Sequence, residues 1–175
     1  MEESIVNPFR IAFTGPECSG KSTLSAWLAT LLDIPLVPEF ARSYLANSTN
    51  YEHHDLHAIA NGQFVQNHAH PTCVCDTEMT VMRIWEQVKY NAISKSIDEL
   101  SHLEVFQCLF LCKPDFPWVE DPLREHPTAR DYLFSLYLKD LDARKIPYFI
   151  LEGSLDQRKA KIMSVLNLEH LPLLP

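Results

Sequence analysis

One short stretch limits what this chain can fold into: Gly15-Pro16-Glu17-Cys18-Ser19-Gly20-Lys21-Ser22-Thr23. It carries G-x-x-x-x-G-K-[ST] at every fixed position, the pattern of a phosphate-binding loop. Gly15 and Gly20 permit backbone angles that turn several N–H groups toward one phosphate. Lys21 adds positive charge at the outer phosphates, and the Ser22 hydroxyl is suited to ligate Mg²⁺. A helix starting here aims its N-terminal N–H groups and its dipole at the same anion. The flanks agree with such a unit. Phe9–Thr14 alternates like a strand, and Leu24, Trp27, Leu28, Leu31 and Leu32 recur three and four apart, as on one helical face. The loop predicts a bound nucleotide and leaves open what is done with it.

The rest of the chain alternates strand and helix signals. Residues 34–38 hold a short second strand between prolines. Glu39-Phe40-Ala41-Arg42 opens a short helix to about Ala46, and Asn47–Asn50 is a polar loop. Residues 52–70 are helical by pattern and end at Pro71. Thr72–Cys75 is a buried strand that closes on Asp76, and helices follow over 78–90 and 94–102. Val105–Cys112 is the most strand-like run. The Pro-rich segment 114–124 is a structured loop, since three closely spaced prolines exclude a regular helix. A helix over 127–144, a strand over 147–151 and a helix over 155–168 complete the order. Residues 1–8 read as a loose lead-in. This alternation predicts an α/β fold, a parallel sheet covered on both faces, in one domain over 1–175. Ligands of such sheets bind beyond the carboxyl ends of the strands. The stretches after strands therefore matter: 15–23, 39–42, 76–77, 115–124 and 153–155.

Composition narrows the partners. The formal net charge is −8, which argues against nucleic acid or an anionic membrane as the main partner. Five cysteines, an odd count with no C-x-x-C, fit neither a disulfide framework nor a zinc site. Cys73, Cys75, Cys108 and Cys112 lie in apolar runs and read as reduced core thiols. No secretory pattern and no long apolar run occur, so the expected location is cytoplasmic.

Several residues are chemical candidates. Asp76 ends its strand as a Walker-B acid does, beside Ser22 for Mg²⁺, although a helix cap is an equally ordinary role for it. Glu39 stands where a small-molecule kinase meets its acceptor, able to accept hydroxyl hydrogen bonds or a proton. Whether Glu39 or Asp76 is the base is left open. Arg124 and Arg130 are lid candidates that would bring charge to the migrating phosphate, with Arg42, Arg83 and Arg158 as competitors. Trp118 and Asp121 suit a flat or cationic ring, while an anchoring role for Trp118 competes. His53, His54 and His57 have helical spacing suitable for a metal. With no matching acid pattern they read as a solvated face.

A GTPase would carry D-x-x-G, which is absent, and Cys112 replaces the amide residue that would complete a guanine-reading motif at Lys113-Pro114-Asp115. A ring ATPase would place adjacent acids after the Walker-B strand, but Thr77 separates Asp76 from Glu78. A compact small-molecule kinase fits best. A nucleotide-dependent regulatory or interaction protein, and a kinase of another nucleoside or metabolite, stand as alternatives.

The assembled motifs resemble a known family. Gly15–Leu24, Val37-Pro38-Glu39-Phe40-Ala41-Arg42-Ser43-Tyr44-Leu45, Gly62-Gln63, Cys75-Asp76-Thr77, Pro114–Val119 and Asp121-Pro122-Leu123-Arg124 occur in the same order in the ribosylnicotinamide kinase domain of bacterial NadR and its stand-alone relatives, often labelled AAA-type ATPases. The resemblance covers about residues 9–160. It implies a three-layer P-loop kinase fold with strand order 2-3-1-4-5, ATP and Mg²⁺ as cofactors, and transfer of the γ-phosphate to the 5′-hydroxyl of nicotinamide riboside. It also implies that Trp118 and Asp121 help hold the riboside and that Arg124 belongs to the lid. Taken with the reading of the residues themselves, Lys21, Glu39, Asp76 and Arg124 are the expected catalytic residues, with Glu39, Arg42, Gln63, Trp118 and Asp121 around the acceptor. Arg124 and Arg130 would form the lid. Two positions depart from the family: Pro122 where Gly is common, and Cys18 where Ser is common. The adenylyltransferase and DNA-binding portions of the bifunctional protein have no counterpart here.

Overall fold

A computed structural model describes residues 8–46, 50–121 and 123–171. The elements are β1 (Phe9–Thr14), α1 (Lys21–Leu32), β2 (Leu36–Val37), α2 (Phe40–Tyr44), α3 (His53–His68), β3 (Thr72–Cys75), α4 (Met79–Tyr90), α5 (Lys95–Leu103), β4 (Cys108–Cys112), α6 (Arg130–Arg144), β5 (Phe149–Leu151) and α7 (Leu155–Val165). All strand pairings are parallel, in the order β2-β3-β1-β4-β5. The strand order implied by the family resemblance is therefore the observed one.

Pleating divides the core in two. Ile11, Phe13, Val74, Cys108, Phe110 and Cys112 point to one face, where α1 and α7 supply Leu24, Trp27, Leu28 and Ile162. Ala12, Cys73, Cys75, Leu109 and Leu111 point to the other, under Leu56, Ile59, Met82, Ile97 and Leu136 of α3 to α6. Both faces are dry, so β1 and β4 are apolar throughout their inner residues instead of alternating with polar ones. The alternation read into Phe9–Thr14 holds only at its exposed start. All five cysteines are free, and the four in strands are buried. Burial pushes the Cys108 and Cys112 thiols up to about 12, so they stay protonated.

Several boundaries are shorter than the sequence pattern predicts. The fourth strand begins at Cys108, not Val105, because Val105 is exposed. Gln107 still pairs with β1: its backbone N–H donates to the Arg10 carbonyl at 2.9 Å, and its side-chain oxygen accepts from the Arg10 N–H at 2.6 Å. The sixth helix starts at Arg130, not 127, after a turn at the end of the Pro-rich segment. The lead-in through residue 7 and most of the expected 47–50 loop lie outside the described residues. Among the described residues, no helix is long and apolar enough to cross a membrane.

Candidate active site

Parallel strands bring all their carboxyl ends to one edge, and the phosphate loop emerges there from β1. Two glycines shape it. A Cβ on Gly15 (φ 131°) would stand 2.5 Å from the Cys112 carbonyl, and one on Gly20 (φ 89°) would stand 2.8 Å from the Phe116 ring. Glycine is thus required both by backbone angle and by close approach. The Lys21 ammonium donates to the carbonyls of Gly15 and Pro16, both at 2.8 Å.

The loop is braced by residues far along the chain. Arg158 on α7 is fully buried, donating to Ser19 O at 2.7 Å, Lys113 O at 2.9 Å, Gly153 O at 3.0 Å and the Asp115 carboxylate at 3.1 Å. Its guanidinium also covers the Phe116 ring at 4.4 Å. It ties the phosphate loop to the ends of β4 and β5 and is committed to that task, so it is no lid residue. Arg83 is likewise committed, to Asp140 and Asp98. The sequence reading missed Glu17 as a brace. Its carboxylate accepts from the backbone N–H groups of Glu125 and His126 at 3.0–3.1 Å, clasping the segment after the prolines.

Asp76 leaves β3 beside the loop and is 5% exposed. Burial raises its pKa, while the Ser22 hydroxyl, the Lys21 charge and Arg42 pull it back in part. Its Oδ1 is buried with no hydrogen-bond partner, and so is the neighbouring Thr77 hydroxyl. An orphaned carboxylate oxygen next to a serine hydroxyl is a hard, anionic donor set, and it fits Mg²⁺.

Glu39 stands across the cleft, held by the turn between β2 and α2. Burial raises its pKa, opposed first by the Lys21 charge and reinforced by Asp76. Arg42 bridges Glu39 at 3.1 Å and Asp121 at 3.0 Å. Asp121 also accepts the Leu123 N–H at 3.0 Å, and that bond together with Arg42 holds its pKa below the usual range despite some burial. Gln63, expected near the acceptor, is fully buried behind this turn. Its oxygen accepts the Phe40 N–H at 2.7 Å and its amide donates to Asn67 at 2.9 Å. It supports Glu39 from behind and does not line the cleft.

The cleft is lined by the whole phosphate loop, by Glu39, Arg42 and Arg124, and by an apolar wall of Val81, Ile84, Trp85 and Val88 from α4 with Leu123, Leu133 and Tyr137. Trp85 donates its indole N–H to the Tyr51 hydroxyl at 2.6 Å, and that hydroxyl donates to Glu125 at 2.8 Å. In the sequence Trp85 falls inside the helix expected over 78–90, and nothing local marks it for the cleft. Trp118 lines a separate shallow recess with Glu120, Asp121, Arg124 and Pro127. Arg124 borders both spaces and donates to the Val119 carbonyl and the Cys18 sulfur. Arg130 donates to Phe116 O at 2.8 Å and lies 5.7 Å from the centre of the Trp118 ring. Arg124 thus sits within the segment next to the phosphate loop, and Arg130 reaches that segment from the first turn of α6. Pro122 lies outside the described residues.

The histidines need a correction. His54 is exposed, but His53 and His57 both reach the buried Glu86 carboxylate on α4, at 2.7 and 3.0 Å. The acid that the sequence spacing lacked comes from another helix.

Comparison with known proteins places this geometry. No curated protein matches the chain. Among solved structures, the NadR protein in complex with NR has 18% identity and a TM-score of 0.75, with 97% of this chain and 54% of that one covered. The NadR protein in complex with NAD and AMP-PNP has 16% identity and a TM-score of 0.71, over 97% and 52%. Deoxyadenosine kinase from M. mycoides with bound dATP has 15% identity and a TM-score of 0.59, over 91% and 100%. The chain spans about half the length of the NadR structures and shares their fold. The model of one family, described as an AAA domain, matches residues 10–158, and the chain belongs to that family.

Proposed function

We propose that the chain is an ATP-dependent phosphotransferase that moves the γ-phosphate of ATP to the 5′-hydroxyl of nicotinamide riboside. The observation that carries this reading is the two-sided cleft: a complete phosphate loop on one side, and Glu39, Arg42 and an apolar wall with Trp85 on the other. A nucleotide-hydrolysing switch needs only the first side. A kinase needs both, because catalysis of phosphoryl transfer is mainly positioning and charge stabilisation. The likeness in fold to NadR with NR and to a deoxyadenosine kinase supports the same reading.

On this reading the loop N–H groups and Lys21 hold the outer phosphates, and Mg²⁺ held by Ser22 and Asp76 supplies charge neutralisation. Glu39 accepts the proton of the acceptor hydroxyl as its oxygen attacks the γ-phosphorus and ADP leaves. Glu39 suits this role better than Asp76, since it lines the cleft while Asp76 stands beside Ser22, where it would hold the metal. Arg124 adds charge from the segment above. The partners are ATP and a small nucleoside in the cytoplasm.

The test is ADP release by the purified protein with ATP, Mg²⁺ and a riboside panel including nicotinamide riboside, adenosine and deoxyadenosine. Nicotinamide riboside should raise ADP release and yield its 5′-phosphate, and Lys21→Ala should abolish both without unfolding the protein. ADP release unaffected by every riboside would overturn the riboside-kinase reading. A response to another riboside alone would overturn the acceptor.

A further inference from the structure

We infer that His53, His57 and Glu86 form a binding site for a Zn²⁺-type cation, apart from the phosphate loop, that staples α3 to α4. Helical periodicity puts His53 and His57 one turn apart on α3. Both Nε2 atoms converge on one oxygen, Glu86 Oε1, at 2.7 and 3.0 Å. The three ligand atoms lie within 4.8 Å of one another. Four-coordinate zinc has ligands at about 2.0–2.1 Å, which sets neighbouring ligand atoms about 3.3 Å apart. The two His–Glu separations therefore open by only about 0.3–0.6 Å to reach that spacing, and the two Nε2 atoms already lie within 4.8 Å of each other.

The supporting groups are also in place. The Glu86 side chain is fully buried, and its second oxygen accepts from the Ser94 N–H at 2.7 Å and the Ser94 hydroxyl at 3.1 Å. Such outer hydrogen bonds fix the orientation of a metal-binding carboxylate. His53 stacks on Tyr90 with ring centroids 4.2 Å apart, which restrains its rotation. The histidine side chains are 46% and 36% exposed, so a cation can enter and keep a water as fourth ligand. Two imidazoles and one carboxylate favour Zn²⁺ over Mg²⁺, which prefers oxygen ligands alone. Binding places the metal on both Nε2 lone pairs, and each neutral ring then carries its proton on Nδ1. The cation is separate from the one expected at Ser22 and Asp76. It would fix the start of α3 against α4, next in sequence to the Tyr51–Trp85 contact at the cleft wall.

The experiment is a titration of chelator-treated whole protein with Zn²⁺ against a chromophoric competitor, in millimolar Mg²⁺. One Zn²⁺ per chain should bind with micromolar or tighter affinity and raise Tm. Loss of an outer-shell partner alone costs metal sites about 10–100-fold, so the double variant His53→Gln, His57→Gln should weaken binding about 100-fold or more. Both histidines are part-exposed, so the variant should keep its far-ultraviolet circular dichroism. Co²⁺ substitution should give visible bands of a four-coordinate N/O site in the unmodified protein, which serves even if the variant misfolds. Absence of stoichiometric binding, undiminished binding by the folded double variant, or thiolate-to-cobalt charge-transfer bands would each overturn the site.

Discussion

Glu39 shows how one residue gains a role from its surroundings. In the sequence it is a first-turn acid following a proline, and helix dipole alone explains it. In the fold it borders the cleft opposite Lys21, with Arg42 on one side and Asp76 nearby. Burial holds its pKa above the ordinary value of 4.5. A base must be unprotonated to work, so activity should rise with pH through this raised pKa and level off above it. The acid limb of kcat/KM for the acceptor should therefore lie above 4.5. Glu39→Gln should remove that limb and cost about 10²–10⁴-fold in kcat, the usual range for a general base. An unchanged limb in Glu39→Gln would assign it to another group.

Two elements offer a tryptophan to the proposed acceptor: α4 carries Trp85 and the Pro-rich segment carries Trp118. Trp85 sits on α4 in the wall of the main cleft, oriented by Tyr51, while Trp118 sits in the Pro-rich segment over a shallow recess. Sequence pointed to Trp118, because a Trp between prolines and charges stands out and a Trp in an amphipathic helix does not. Trp85→Ala should raise the acceptor KM at least about 10-fold, as loss of a stacking face and buried area implies, with the ATP KM little changed. Trp118→Ala should affect both substrates together, because the segment also carries Arg124 and is clasped by Glu17 of the phosphate loop. Steady-state kinetics with each substrate varied in turn separates the two. An acceptor-selective effect of Trp118→Ala with none for Trp85→Ala would reverse the assignment.

Among the described residues, Thr14, Ser19, Asp76, Thr77 and Glu78 are buried polar groups just at or past the ends of β1 and β3. Just past the end of β3, the buried Glu78 lies near the part-buried Glu104. Glu104 accepts from Asn67 at 2.7 Å and from the Met79 N–H at 2.7 Å. Burial, with Glu78 beside it, pushes the Glu104 pKa up to about 8. In the window between 4.5 and about 8 the folded chain keeps a proton that the unfolded chain has released. Protons bound in the folded state exceed those in the unfolded state, so stability falls as pH rises through that window. Urea denaturation at stepped pH should show this decline, and Glu104→Gln, which keeps the shape without the charge, should flatten it. A wild-type profile that is flat or rises over the window would refute the assignment.

Sequence by itself determined the phosphate loop, the alternation of strands and helices, and the acids after β2 and β3. These signals are local: a fixed spacing around two glycines, a period, a strand end. The family resemblance extended them to the strand order. Only tertiary structure decided which distant residues meet. Arg158 braces a loop far earlier in the chain, Gln63 stands behind Glu39 and not in the cleft, and Glu86 comes from α4 to join the histidines of α3. None of these pairings leaves a periodic trace, because each depends on how two elements pack and not on spacing within one. The phosphate-loop side of the cleft was therefore legible from residues 15–23, while its opposite wall had to wait for the packing of α4 against the segment after the prolines.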